Sequence, residues 1–206
     1  MGFLRQWTGV SKYMVTSPST FFEHYDESHG VGYPLSYLLL TVAIVLAPVF
    51  LVGAIFNITD PTQLGALALL MGVFTLYLWF VTVVEAAVAH VVLYLFGARG
   101  LADTFEAYAF PAIVRYGLWW FPVVNLVLGL YGLYLQIRGL AAFHDVPAWK
   151  AAVAAIVGVL LYLPVTIVVV ALVASFVLAL DGGGGSPGVQ EALAVHVDHF
   201  AHGVGR

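Results

Sequence analysis

The sequence predicts an all-α protein, a polytopic membrane bundle of five transmembrane helices. Its composition is the first reason, since 62% of the 206 residues are apolar, 9% are charged, and the mean hydropathy is +1.00. Soluble domains are about 45–50% apolar and about 25% charged, because a small fold must cover itself with polar surface. Long uncharged runs and the placement of Lys and Arg are the other two reasons.

Four apolar runs are long enough to cross the bilayer, since a helix needs about 20 residues to span roughly 30 Å of hydrocarbon. They cover residues 33–56, 64–96, 104–140 and 149–180. The third run can form one long helix or two short ones. Pro122 lacks a backbone donor and disfavours helix in the residue before it, so we expect a break at residues 119–122. Spans three and four would then have about 17–19 residues each, or form a short hairpin that crosses incompletely.

The positions of the basic residues favour five spans over four. With five spans, one side of the membrane carries Arg5, Lys12, Arg99, Arg138 and Lys150, while the opposite side carries only Arg206. With four spans, Arg138 and Lys150 move to the other side and the bias is lost. Because cytoplasmic loops carry an excess of Lys and Arg, we expect a multi-pass cell-membrane protein with a cytoplasmic N-terminus and an outside C-terminus.

This topology divides the chain into three regions. Residues 1–32 form a cytoplasmic segment, in which residues 3–14 have the spacing of an amphipathic helix lying in the membrane interface. Residues 33–180 form the membrane domain, and residues 181–206 form a Gly-rich linker with a His-bearing outside tail. The tail places His196, His199 and His202 three residues apart, which is a weak metal-binding pattern because such residues spread around a helix. We therefore expect a solvated tail without a metal, and no cofactor.

Ionisable residues inside spans are costly and form the candidate functional set. They are Glu85, His90, Glu106 and Arg115. Glu106 and Arg115 are nine residues apart and do not pair within one helix. Arg115 can pair with Glu85 of the neighbouring helix, which would neutralise both charges. The alternative is a proton or ion relay through Glu85, His90 and Arg115.

Several function classes lack their sequence features. With seven Lys and Arg and a net charge of −4, the chain has no basic face for nucleic acid. The sequence contains no cysteine and no motif that combines a nucleophile with a base, so we do not expect an enzyme. The sequence has no pair of broken helices at corresponding positions of two halves, which is the pattern expected of a transporter built from repeats. Small residues four apart, such as Ala154 and Gly158, favour close helix packing within one chain or between copies.

The order of several short motifs resembles the Yip1-domain family of five-span membrane proteins. The motifs are residues 18–22 (PSTFF), 97–100 (GARG), 107–111 (AYAFP), 139–144 (GLAAFH) and 149–152 (WKAA), and the resemblance covers about residues 18–180. The positions that carry it are Pro18, Phe21, Phe22, Gly97, Gly100, Tyr108, Pro111, Gly139 and Lys150. The resemblance implies an adaptor role, since eukaryotic members bind Rab-type GTPases, and it transfers no catalytic residue. The chain has only about 30 residues before span one, so the long cytoplasmic arm of those members is missing.

The sequence thus predicts a non-enzymatic membrane scaffold, adaptor or organising subunit. Its expected partners are the lipid bilayer and either a membrane protein or a second copy of the chain. The alternative function is transport of a small ion or solute through Glu85 and Arg115.

Overall fold

The computed structural model describes residues 2–27, 29–118 and 120–183, and every regular element among them is a helix. The helices are α1 (Phe3–Thr16), α2 (Pro18–His24), α3 (Gly32–Phe56), α4 (Pro61–Leu95), α5 (Leu101–Ala109), α6 (Ala112–Arg115), α7 (Pro122–Phe143) and α8 (Ala148–Gly183). The chain divides into two compact units, Met1–Tyr162 and Leu163–Arg206. The described part of the second unit is the remainder of α8, in which the Ser175 hydroxyl donates to the Ala171 carbonyl oxygen at 2.8 Å.

In the part of the chain that the structure describes, four helical segments are long and apolar enough to cross a membrane. They are Gly32–Phe56, Pro61–Leu95, Pro122–Phe143 and Ala148–Val169. Their outer faces expose large apolar side chains, among them Leu51, Leu69 and Leu126. Their inner faces bury polar side chains, including Glu85 and Gln136, which have no exposed surface. Apolar outside and polar inside is the arrangement expected of helices surrounded by lipid.

The third apolar run, residues 104–140, does not form one continuous helix. The break at Pro122 is confirmed, because Pro122 is the first residue of α7, where a missing backbone donor costs nothing. A second break was not predicted: α5 ends at Ala109 and α6 begins at Ala112, on either side of Pro111. Both helices are too short to cross a bilayer alone, so the expectation of one 17–19-residue helix was wrong.

The core of the first unit has two apolar clusters, and Val83 and Phe143 pack against both. We call the end of the bundle that carries α1 and α2 the platform end. One cluster joins α1 and α2 to α3 and the α5–α6 segment through Met14, Phe22, Tyr37 and Phe110. The other joins α4, α5, α7 and α8 and contains Ala151, Ala154 and Ala155. The small residues of α8 are therefore used for packing within this chain.

Candidate functional site

The candidate site is an ion pair between α4 and the end of α6. Arg115 Nη1 donates to Glu85 Oε2 at 2.9 Å. The Glu85 side chain has no exposed surface and that of Arg115 is 10% exposed. The sequence predicted this pair, and the structure brings the two residues together. Because two opposite charges in contact neutralise each other, the cluster carries no net charge in its apolar surroundings.

Two further residues hold the Arg115 guanidinium in place. Arg115 Nη1 also donates to Gln136 Oε1 of α7 at 3.2 Å, and Nη2 donates to the Tyr162 hydroxyl of α8 at 3.4 Å. Neither Gln136 nor Tyr162 was predicted as a site residue. Gln136 had a detectable signal, since it is one of few polar residues in the mostly apolar sequence of α7. Tyr162 had none, because tyrosine is common in membrane helices.

Two glycines allow the helices to approach the ion pair closely. A Cβ atom at Gly132 of α7 would lie 2.6 Å from Cβ and 2.9 Å from Cα of Arg115. A Cβ atom at Gly158 of α8 would lie 2.9 Å from the backbone oxygen of Glu85. Real Cβ atoms do not tolerate such distances, so any larger residue would force the helices apart. Gly158 was predicted as a packing position, whereas Gly132 was not.

The polar groups of the site are only partly satisfied by the protein. Six buried side-chain atoms of the described residues have no hydrogen-bond partner, and three of them belong to this site: Glu85 Oε1, Gln136 Nε2 and the Tyr108 hydroxyl oxygen. A cavity of about 410 Å³ adjoins the pair and is lined by Arg115, Tyr162 and apolar side chains of α4, α7 and α8. Glu85 therefore has a charged partner on one carboxylate oxygen, while its other oxygen is a buried acceptor without a partner among the described residues, which is uncommon in folded proteins.

His90 does not join this pair but belongs to a separate hydrogen-bond chain at the platform end. His144 Nδ1 donates to the Arg99 carbonyl oxygen at 2.8 Å, so Nε2 of a neutral His144 accepts from the Thr104 hydroxyl at 2.8 Å. The Thr104 oxygen in turn accepts from His90 Nδ1 at 2.8 Å. Burial lowers the pKa of His144 and favours this neutral form. These hydrogen bonds connect α4 to α5 and to His144, the residue that follows α7.

Glu106 also pairs separately, at the platform end. Its carboxylate is 2% exposed, and Oε1 lies 3.0 Å from His29 Nδ1. The His29 ring stacks on Tyr33 with centroids 4.0 Å apart and also contacts the Tyr25 hydroxyl. As expected, Glu106 does not pair with Arg115. Its contacts fasten the segment before α3 to α5.

The motif positions that resemble the Yip1-domain family lie mostly at the platform end. A Cβ atom at Gly139 would lie 2.9 Å from Phe22 and 3.2 Å from Ala107 Cβ, so three of the motifs meet there. Gly97 and Gly100 have φ angles of 93° and 88°, which favour glycine, in the turn between α4 and α5. The remaining positions are structural: Pro18 begins α2, Phe21 packs edge-on to Phe110, Tyr108 is buried, Pro111 separates α5 from α6, and Lys150 lies over the Phe96 ring.

Metal binding finds no further support. The described residues contain no group of three His, Asp or Glu side chains placed to hold a metal ion. His196, His199 and His202 lie outside the described residues, as does the predicted tail from residue 184 onward. Residues 181–183, which were predicted to begin the linker, continue α8.

Comparison with known families gives one match. The family model of the Yip1 domain matches residues 12–172. No curated protein and no solved structure matches the chain. Because the match covers most of the chain, this protein belongs to the Yip1 domain family.

Proposed function

Since the chain is a Yip1-domain protein, we propose that it is a membrane scaffold or adaptor without enzymatic activity or cofactor. The observation that carries this proposal is the attachment of α1 and α2 to one end of the bundle. We call these two helices the N-terminal platform. A surface held rigidly beside the membrane suits the capture of a partner, because little conformational entropy is lost on binding.

Buried polar contacts fix the platform to α3. Trp7 Nε1 donates to the Thr41 hydroxyl oxygen at 2.9 Å, and the hydroxyls of Ser11 and Tyr37 lie 2.7 Å apart. Thr41 and Tyr37 are completely buried, so each contact also satisfies a polar group inside the bundle. Met14 fills the same interface and has no exposed surface. The platform is therefore a part of the packed domain.

Exposed apolar side chains of α1 remain available to a partner. Leu4 (66% exposed) and Val15 (63%) lie on the same side of the helix because they are eleven residues apart, whereas Tyr13 (54%) lies on the other side. Exposed apolar side chains at one end of a membrane bundle fit either the bilayer interface or the apolar surface of another protein. We propose that the partner is a membrane protein, with a second copy of this chain as the simplest case.

Contacts between elements support a five-span topology. His144, at the end of α7, contacts Arg99, which follows α4, so α4 and α7 end on the same side of the bundle. If both cross the membrane, the intervening residues 101–121 must cross back in the opposite direction. We infer that α5, α6 and the residues up to Pro122 form a broken third span. Arg99 and Lys150 lie at the platform end, whereas residues 57–61 and 116–121 contain no Lys or Arg, which favours a cytoplasmic platform in the cell membrane.

Transport through Glu85 and Arg115 is less well supported. A relay needs an ionisable group that can exchange its proton or ion, whereas the Glu85 carboxylate lies 2.9 Å from a guanidinium that stays protonated. His90, the third member of the predicted relay, is held in a different cluster. Proton flux into vesicles that is lost in Glu85→Gln would revive this alternative.

A crosslinked pull-down from native membranes tests the adaptor proposal. Wild type is compared with Leu4→Ser/Val15→Ser, which changes one exposed side of α1, and with Phe56→Ser/Ile58→Ser as a matched exposed pair at the opposite end. We expect one reproducible protein partner that the first variant loses and the second retains. Identical recovery from all three chains would contradict a partner-binding platform.

A further inference from the structure

A second cavity lies within the N-terminal platform, between α1 and α2. Its volume is about 570 Å³, within the range of small-molecule sites. Gly9 lines it, and a Cβ atom there would meet nothing within 4 Å, so the backbone of α1 leaves room for a ligand. The rest of the wall combines aromatic side chains with one basic and one acidic residue, among them Tyr13, Tyr25, Arg5 and Glu27.

The cavity lies on a third side of α1. Trp7 and Ser11 form hydrogen bonds with α3, and Leu4 and Val15 are exposed on a different side. At about 100° per residue, Gly9 is rotated by about 120–160° from each of these four residues. A ligand in the cavity would therefore leave both the contact with α3 and the exposed Leu4 and Val15 unchanged.

The charged end of the cavity lies where α3 begins. The Gln6 amide nitrogen donates to Glu27 Oε2 and lies 2.8 Å from His29 Nε2. The His29 ring stacks on Tyr33, the second residue of α3. Because α3 is long and apolar enough to cross the membrane, its first residues lie near the membrane surface. Arg5, Gln6 and Glu27 are therefore at the depth of lipid headgroups.

Arg5 and Glu27 are not paired with each other. Among the described residues, no ion pair joins Arg5 to an acidic group. Glu27 is 57% exposed and accepts from the uncharged amide of Gln6. His29 Nε2 lies 3.5 Å from Glu27 Oε2, but it accepts a hydrogen bond from the Gln6 amide and so carries no proton that would offset the carboxylate charge. The cavity thus presents one positive and one negative group to a ligand.

This pair of charges selects a ligand that carries both signs. A purely anionic headgroup would attract Arg5 but be repelled by Glu27, and a purely cationic headgroup would have the reverse problem. A headgroup with a phosphate and an ammonium group can place each charge beside its opposite. Tyr13 and Tyr25 add attraction for the ammonium group, because aromatic ring faces attract cations.

From these observations we propose that the cavity binds the headgroup of a zwitterionic phospholipid, with its phosphate at Arg5 and its ammonium group at Glu27 and Tyr25. The proposal does not depend on the adaptor role, since Leu4 and Val15 lie on a different side of α1.

Native mass spectrometry of the full chain released from detergent tests the site, with a diacyl phosphatidylethanolamine as the probe. We compare wild type with Gly9→Leu, which fills the cavity, and with Gly72→Leu, the same change at an open position of α4 outside it. We expect one lipid retained by wild type and by Gly72→Leu, and retention about tenfold weaker in Gly9→Leu. Circular dichroism checks that all three chains are equally folded. Equal retention by the three chains would overturn the site.

A change of lipid charge tests how the headgroup is recognised. An anionic phosphatidylglycerol with the same chains should be retained about fivefold less well by wild type than the zwitterionic probe. Glu27→Gln should abolish this preference, whereas Asp26→Asn, a neighbouring exposed acid that does not line the cavity, should keep it. Equal retention of both lipids by wild type, or loss of the preference in both variants, would overturn zwitterion recognition.

The same measurement separates this proposal from the adaptor proposal. Leu4→Ser/Val15→Ser should retain the zwitterionic lipid as well as wild type does, because neither residue lines the cavity. Loss of the lipid in this variant would show that the exposed apolar side of α1, and not the cavity, holds it.

Discussion

At the scale of single residues, Glu85 and Arg115 stabilise the bundle only as a pair. Removing either partner leaves the other charge in a buried apolar environment, which typically costs about 3–5 kcal/mol. Replacing both with apolar side chains removes the desolvation cost together with the attraction, and is often close to neutral. The two residues should therefore be strongly coupled in a double-mutant cycle.

We predict that Arg115→Met and Glu85→Met each lower the free energy of unfolding by about 3–5 kcal/mol and that the double variant regains most of this loss. The measurement is denaturant unfolding in detergent micelles. The control is Arg138→Met, because Arg138 and Glu23 are 4.0 Å apart and largely exposed, and such pairs contribute less than about 1 kcal/mol. Additive losses in the double variant would contradict a mutually dependent pair.

Site residues that stand out by composition could be predicted from the sequence, whereas residues whose role depends on helix packing could not. Charged residues inside apolar runs stand out by composition, so Glu85 and Arg115 were identified as a possible pair. Gly132 and Tyr162 could not be identified, because their roles depend on which helix faces come within reach of Arg115. His90 was predicted to join Glu85 and Arg115 because all three are ionisable residues within apolar runs. The sequence does not show that His90, five residues after Glu85 on α4, contacts a different group of side chains.

At the scale of helices, the glycines of α7 determine how closely it approaches the α5–α6 segment. Gly132 lies against the Arg115 backbone, whereas Gly129, one turn earlier, faces open space. The two positions are thus a natural comparison within one helix. Alanine favours helix over glycine by about 1 kcal/mol wherever the added methyl group fits.

We predict that Gly132→Ala lowers the free energy of unfolding by about 1–3 kcal/mol through overpacking against Arg115. Gly129→Ala should leave it unchanged or raise it by up to about 1 kcal/mol. Thermal and denaturant unfolding in the same detergent would give both values. Equal effects of the two substitutions would show that α7 does not pack against Arg115 as described.

The helices themselves were predictable to different degrees. The long apolar runs predicted α3, α4 and α7 closely, because about 20 uncharged residues leave few alternatives in a membrane. The α5–α6 break at Pro111 was missed, since a proline inside an apolar run is compatible with both a kinked and an interrupted helix. What distinguishes the two is the packing of Phe110 between α1–α2 and α3, which is a tertiary contact.

At the scale of the whole molecule, the number of crossings depends on the segment between α4 and α7. The 22 residues of α7 are about 33 Å long, enough for one crossing. Since α7 ends beside the residues that follow α4, it must begin at the opposite end. The residues between them then have to connect the two ends, although neither α5 nor α6 is long enough to do so alone.

Cysteine labelling can decide this topology, because the sequence contains no cysteine. We predict that Leu118→Cys and Ile58→Cys, which are 41% and 73% exposed, react with a membrane-impermeant reagent from the outside of intact cells. Ala148→Cys, also exposed, should react only after the membrane is opened, since it lies at the platform end with Arg99 and Lys150. Labelling of Leu118→Cys from the same side as Ala148→Cys would mean that residues 101–121 fold back without crossing. The positive residues at the platform end would then no longer explain the orientation, because α7 would have to enter and leave the membrane on one side.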